Sequence, residues 1–266
     1  MKSLSAALEP RKSVFDPQRR DTVLDLTNLA EGSIDPEEFF TENFVTEGMR
    51  VLLEQAFRRV EGRSDQGVFL LRQAMGGGKT HNLLTLGLLA KHPEYREKVI
   101  GHFHKPEANL GPVKVIAFTG RETDAPYGIW GSLAEQLGKF NHFQHLYQPL
   151  QAPGQTAWET LFAGQTVLIL LDELKPYLIA ARARQIGNSD LAQVTQTAIS
   201  NLLIAIQKEK CTRVCLVMTD LTGSYERGEE IVADILGDLS KEARRTAMSL
   251  EPVRLNSDEI YQKFGN

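Results

Sequence analysis

Val68-Phe69-Leu70-Leu71-Arg72-Gln73-Ala74-Met75-Gly76-Gly77-Gly78-Lys79-Thr80 runs an apolar stretch into three glycines, a lysine and a hydroxyl residue. Such a string could hold a nucleoside triphosphate. Glycines let successive backbone N–H groups curl around phosphates with no Cβ in the way. The helix that follows aims its positive end at the same phosphates. On this reading Gln73, Ala74, Met75, Gly76, Gly77 and Gly78 form the cradle, with His81 beside it. Lys79 reaches the β- and γ-phosphates, and the Thr80 hydroxyl ligates Mg²⁺. One position departs from the full pattern G-x-x-x-x-G-K-[ST]: Gln73 stands where the first glycine belongs, which touches the tight turn at the strand end. A chance glycine turn is the plain alternative; the apolar strand before it and the apolar helix after it weigh against that.

Val167-Leu168-Ile169-Leu170-Leu171-Asp172-Glu173 is the expected complement, five apolar residues ending in two carboxylates. Asp172 would hold Mg²⁺ through water, while Glu173 would orient and deprotonate an attacking water. Carboxylates just past a strand's C-terminal end face the crevice where open α/β sheets bind ligands. A glutamate directly after the aspartate favours hydrolysis over phosphoryl transfer to a bound acceptor, so a kinase-like transferase is the weaker reading. Alone, the pair would be read as a solvated strand end.

Other residues are less specific. Thr219 and Asp220 end a further apolar run, where a polar side chain could approach the γ-phosphate; a strand-end cap explains them equally well. Arg244 or Arg245, at the end of a predicted helix, could reach a neighbouring subunit's nucleotide and neutralise transition-state charge. A basic helix C-terminus favoured by the dipole accounts for them as well. Arg182 and Arg184 could touch nucleic acid or form a solvated face. The histidine pairs His102/His104 and His142/His145 lack the neighbours of a metal site. Trp130 reads as packing.

The elements that must position these residues alternate in type. Residues 1–45 are polar and turn-rich, with breakers at Asp16-Pro17 and Asp35-Pro36, and read as an arm carrying a short helix near Glu37–Phe40. Residues 46–266 read as one domain. Thr46 caps a helix with Met49, Leu52, Leu53, Ala56 and Val60 on one face, and Arg58 and Arg59 in its last turn complement the dipole. Strands are predicted at 68–72, 113–119, 166–171 and 213–218, with a weaker fifth at 249–255. Helices follow the glycine turn and the second strand, and two more span 191–208 and 229–245. This alternation predicts an α/β fold, a three-layer αβα sandwich around a mainly parallel five-stranded sheet, and with the glycine loop it reads as the P-loop NTPase type.

The 266 residues, 42% hydrophobic and 24% charged, suit a packed globular chain and exclude a disordered or collagen-like one. A net charge of −4 argues against a surface devoted to coating nucleic acid. The longest apolar run is far short of the roughly 20 residues of a spanning helix, and MKSLSAALEPRKSV has no signal-peptide core. Two cysteines, Cys211 and Cys215, make no disulfide framework. A cytoplasmic protein with no membrane role is the expectation.

Taken together, these residues resemble an AAA+-type P-loop ATPase with glutamate beside the acidic-strand aspartate. More narrowly, the chain is similar to the N-terminal part of the large bacterial and archaeal ATPases filed as domain of unknown function 499. The resemblance rests on Asp35-Pro36-Glu37-Glu38-Phe39-Phe40 with Thr46-Glu47-Gly48, Gly76-Gly77-Gly78-Lys79-Thr80-His81, Trp130-Gly131 with Gln136-Leu137-Gly138, and Leu171-Asp172-Glu173-Leu174. Glu251-Pro252 and Glu259-Ile260-Tyr261 add to it. It implies ATP and Mg²⁺ as cofactors, hydrolysis by a switch or motor module, and self-association or a larger complex. It also implies a role beside DNA or DNA-modifying enzymes in defence against phage. Members of the family continue for hundreds of residues and carry a helical lid after the fifth strand. With no counterpart to that lid before Asn266, the resemblance implies a fragment. A nucleotide-dependent scaffold with little hydrolysis is the alternative.

Overall fold

The computed structural model describes residues 24–43, 45–72, 78–219 and 229–251. Helices α1 (Leu26–Glu31), α2 (Pro36–Glu42) and α3 (Glu47–Val60) precede strand β1 (Val68–Leu71). Helices α4 (Lys79–Lys91) and α5 (Arg96–Ile100), strand β2 (Lys114–Thr119), helices α6 (Gly128–Gln136) and α7 (Gln155–Phe162) and strand β3 (Val167–Asp172) follow. The remainder is α8 (Leu174–Arg182), a small antiparallel hairpin of β4 (Gln185–Ile186) and β5 (Ser189–Asp190), α9 (Leu191–Ile206), β6 (Val214–Thr219), α10 (Glu229–Thr246) and β7 (Met248–Leu250).

Five strands form one all-parallel sheet in the order β2-β3-β6-β1-β7. Strands β1, β3 and β6 are buried along their whole length, as near-continuous apolar runs must be when helices cover both faces. Side chains alternate between two cores because successive residues of a strand point to opposite faces. Val68, Leu70, Ile169, Leu171, Leu216 and Met218 face one core, which is closed by residues of α6 to α10. Phe69, Leu71, Leu168, Leu170, Cys215 and Val217 face the other, closed by α1 to α5. The result is a three-layer αβα sandwich around a parallel five-stranded sheet.

Residues 24–43 contribute to the second core. Asp25 and Asp35 cap α1 and α2 by accepting backbone N–H bonds, and Leu26, Leu29, Ile34 and Phe39 are buried against α4 and its neighbours. The α3 helix begins at Thr46 as its cap residue predicts, but Arg59 does more than complement a dipole. It is buried and donates to the carbonyls of Ser64, Asp65, Ile206, Cys211 and Val214, tying α3 to the end of α9 and the start of β6. Arg58 stays at the surface, 3.9 Å from Glu54. Cys211 and Cys215 are free and buried in different cores, where burial pushes their thiols up to about 11 and about 12. Among the described residues no helix is long and apolar enough to cross a membrane.

Candidate functional site

Because all five strands of the sheet run the same way, their C-terminal ends share one edge, the edge where open α/β folds bind ligands. Strand β6 lies between β1 and β3, so Thr219 at its end sits between the end of β1 and the acidic end of β3. The register pairs Leu71 with Thr219, and Thr119 with Asp172. Residues far apart in sequence are thereby set side by side.

Helix α4 starts at this edge. Gly78, its N-cap residue, adopts the left-handed conformation (φ 70°, ψ 21°), a turn that glycine makes without a Cβ clash. The Asn82 side chain donates back to the Gly78 carbonyl at 2.8 Å and helps fix that turn. Lys79 is the first residue of the helix and Thr80 the second. The Thr80 hydroxyl donates to Asp172 Oδ2 at 2.7 Å, bringing the first turn of α4 and the acidic strand into direct contact. His81 turns toward the N-terminal helices, where its ring stacks on Phe39 with centroids 5.2 Å apart. Burial pushes its pKa down, which favours the neutral imidazole.

Asp172 is only 4% exposed. Its Oδ1 accepts from the Thr219 hydroxyl at 2.8 Å, so two hydroxyl groups clamp the two carboxylate oxygens. Burial pushes the carboxyl above its usual range; the hydroxyls of Thr80 and Thr219 pull it back, and the charge of Glu173 adds to the rise. The Thr219 hydroxyl also accepts the Glu173 N–H at 3.1 Å. One side chain therefore orients both acidic residues.

Glu173 is the single non-glycine residue with positive φ among those described (φ 47°, ψ 44°). A left-handed glutamate carries local strain, and such strain gathers at functional sites because it lets the chain turn sharply from strand to helix. The turn is braced by Gly120, whose N–H donates to the Asp172 carbonyl at 2.8 Å. A Cβ on Gly120 would lie 1.9 Å from the Glu173 carbonyl oxygen, so only glycine fits. The Glu173 carboxylate receives the Arg121 Nε at 2.7 Å. Arg121 is a site residue that sequence reasoning missed. The available signal was its place two residues beyond the end of β2, on the same edge as Asp172.

The structure thus gathers Gly78, Lys79, Thr80, Asp172, Glu173 and Thr219 at one edge. It does not bring Arg244 and Arg245 there. These residues are exposed at the end of α10, and β7, which follows, runs parallel to β1 from Met248 opposite Phe69. Gln66, just before β1, donates to the Thr246 carbonyl at 3.1 Å, which places that helix end at the opposite edge of the sheet. Gln73, Ala74, Met75, Gly76, Gly77 and Asp220 lie outside the described residues. Arg182 is engaged with Asp190 at 2.9 Å and Asp234 at 3.3 Å, and Arg184 contacts the Pro126 carbonyl at 3.5 Å. Trp130 is fully buried in the first core. Among the described residues no cluster of three or more His, Cys, Asp or Glu side chains could hold a metal.

Among solved structures, a chain of Drosophila ORC bound to DNA is similar at 16% identity, over 92% of this chain and 61% of that one, with a TM-score of 0.37. This chain therefore spans less than two thirds of that chain's length. No curated protein matches. Residues 6–249 match the DUF499 N-terminal domain, and the chain belongs to that family.

Proposed function

We propose that this chain binds ATP with Mg²⁺ and hydrolyses it, acting as an AAA+-type switch or motor module. The observation that carries the reading is the Thr80–Asp172 contact at 2.7 Å, with Glu173 adjoining it on the same sheet edge. Lys79 and the α4 N-terminus supply positive charge for phosphates. Thr80 and Asp172 supply hard oxygen donors of the kind Mg²⁺ takes alongside phosphate oxygens. Bound there, Mg²⁺ would neutralise charge developing between the β- and γ-phosphates. Thr219 holds the Asp172 carboxylate and the Glu173 backbone, and the Glu173 carboxylate is the base that would accept a proton from water.

A second reading, a nucleotide-dependent scaffold with little hydrolysis, draws on one observation. Arg121 occupies the Glu173 carboxylate at 2.7 Å, so the base must leave or share that partner before it can take a proton. Self-association fits the placement of Arg244 and Arg245: on the edge away from this chain's own Lys79, they could serve only a neighbouring subunit's nucleotide. The link to DNA-modifying enzymes and phage defence comes from the family resemblance.

Mg²⁺-dependent phosphate release from ATP, measured across protein concentrations, tests the reading. Release that Glu173→Gln abolishes while ATP still binds supports a hydrolase, and a rise in turnover per subunit with concentration supports a shared site. Undiminished release in Glu173→Gln would sink the assignment of the base. ATP binding without release from the unaltered chain would select the scaffold.

A further inference from the structure

We propose that a second pocket, beside the sheet edge but separate from the phosphate site, binds the guanidinium side chain of an arginine on a partner polypeptide. The cavity, about 380 Å³, opens between the 120–128 loop and α6, at the small end of the range for ligand pockets of about 300–1,000 Å³. Phe118, Tyr127 and Phe140 supply aromatic surface, and Glu122, Asp124 and Glu135 ring it with three exposed carboxylates. No ion pair reaches any of the three among the described residues. Arg121 is paired with Glu173 and Lys139 donates to the Leu161 carbonyl, while Arg184, exposed at the rim, lies 3.5 Å from the Pro126 carbonyl and pairs with none of the three carboxylates.

The aromatic wall is built into the fold. Tyr127 packs on Phe140 and Tyr147 with centroids 5.0 Å and 4.8 Å away, and Tyr147 anchors the group by donating to the Phe140 carbonyl at 2.8 Å. Tyr127 lies so close over α6 that a Cβ on Gly131 would meet its own Cβ at 2.4 Å. Gly128, in the left-handed conformation, gives way in the same manner to the Trp130 ring. Yet Tyr127 remains 37% exposed, one of two large hydrophobic residues exposed among those described. Carboxylates beside an exposed aromatic face attract cations, and a planar guanidinium can stack on the ring while its N–H groups meet the carboxylates. The same three charges repel a phosphate backbone, so the occupant is a protein side chain and not nucleic acid.

The test is a titration of the full chain with acetyl-Gly-Arg-Gly-amide, with the citrulline peptide as a neutral isostere and a leucine peptide as an apolar control. The arginine peptide is expected to bind about tenfold tighter than either control, and to weaken as salt is raised. Tyr127→Ala and Glu135→Gln should each reduce its affinity about fivefold. Glu135 is exposed, so its substitution leaves the fold intact and keeps the result interpretable. Absence of saturable binding up to about 10 mM peptide overturns the proposal, as does equal binding of the citrulline or leucine peptide. Tighter binding of the corresponding lysine peptide overturns the choice of guanidinium. None of these readouts depends on ATP.

Discussion

Thr219→Val probes how one hydroxyl organises the acidic edge. Valine keeps the branched shape but removes the donor to Asp172 Oδ1 and the acceptor for the Glu173 N–H, at a side chain only 3% exposed. A hydrogen bond to a charged group contributes about 1.5–3 kcal/mol, and an orphaned buried N–H adds about 1 kcal/mol. The extra buried methyl offsets about 0.8 kcal/mol. The net loss is about 2–3 kcal/mol, which for a chain of this size lowers Tm by about 4–12 °C. The Asp172 carboxyl, already pushed up by burial, loses one of the two hydroxyls that oppose the rise. With both acidic groups released from their positions, Mg²⁺-dependent phosphate release should fall about a hundredfold. Thr219→Ser restores the hydroxyl without the methyl and should recover most of both quantities. Thermal melts and phosphate release on the three proteins decide the matter. A valine variant within 1–2 °C of the parent in Tm, with release within about threefold, would refute the reasoning. So would a serine variant as impaired as valine, since packing and not hydrogen bonding would then be the cause.

Gly120→Ala should impair the same edge by crowding. The new Cβ would meet backbone atoms of Glu173 and Leu174 at 1.9–2.7 Å, and neither can swing aside like a flexible side chain. A stability loss of about 1–3 kcal/mol with a larger fall in phosphate release is expected, read by denaturant melts and steady-state turnover; an unchanged rate would show that the Gly120–Glu173 approach is dispensable. Asp172→Asn should do the opposite to stability while abolishing Mg²⁺-dependent release. The folded-state pKa of Asp172 is raised, so the unfolded chain gives up this proton first and stability falls as pH climbs through the interval above 3.8. At pH 7 the buried charge is a standing cost that asparagine lacks. Without Mg²⁺ and nucleotide, the variant should therefore melt above the parent at neutral pH and converge with it below about pH 4, and a variant less stable at pH 7 would contradict the burial argument.

The fold was legible in the sequence because a buried parallel sheet writes itself as short apolar runs. Each of Val68–Leu71, Val167–Asp172 and Val214–Thr219 falls within a residue or two of the stretch that its composition marks. The contribution of residues 24–43 to the core was not legible. Asp35-Pro36 reads as a breaker ahead of a short helix, and α2 is that helix, with Asp35 as its N-cap and proline at its first position; what local sequence does not show is that it packs into the core, and α1 is too short for its apolar period to register. Charged residues were misread whenever their partners were remote: Arg59 has the appearance of a dipole-favoured helix end, but its acceptors include carbonyls about 150 residues away in the chain.

The candidate site divides along the same line. Gly78, Lys79, Thr80, Asp172 and Glu173 were legible because each group of residues is contiguous and its chemistry depends on that order. Arg121 and Gly120 were not, because their roles exist only once β2 is set beside β3 with Thr119 opposite Asp172. Thr219 is the intermediate case. Its place at a strand end could be read, but a cap and an orienting group look alike until the sheet order puts β6 between β1 and β3. Sheet order converts a polar strand end into the residue that holds two carboxylates, and local sequence contains no record of that order. A site assembled along one sheet edge should therefore be sought at the first two or three residues past every strand of the sheet, including strands with no motif of their own.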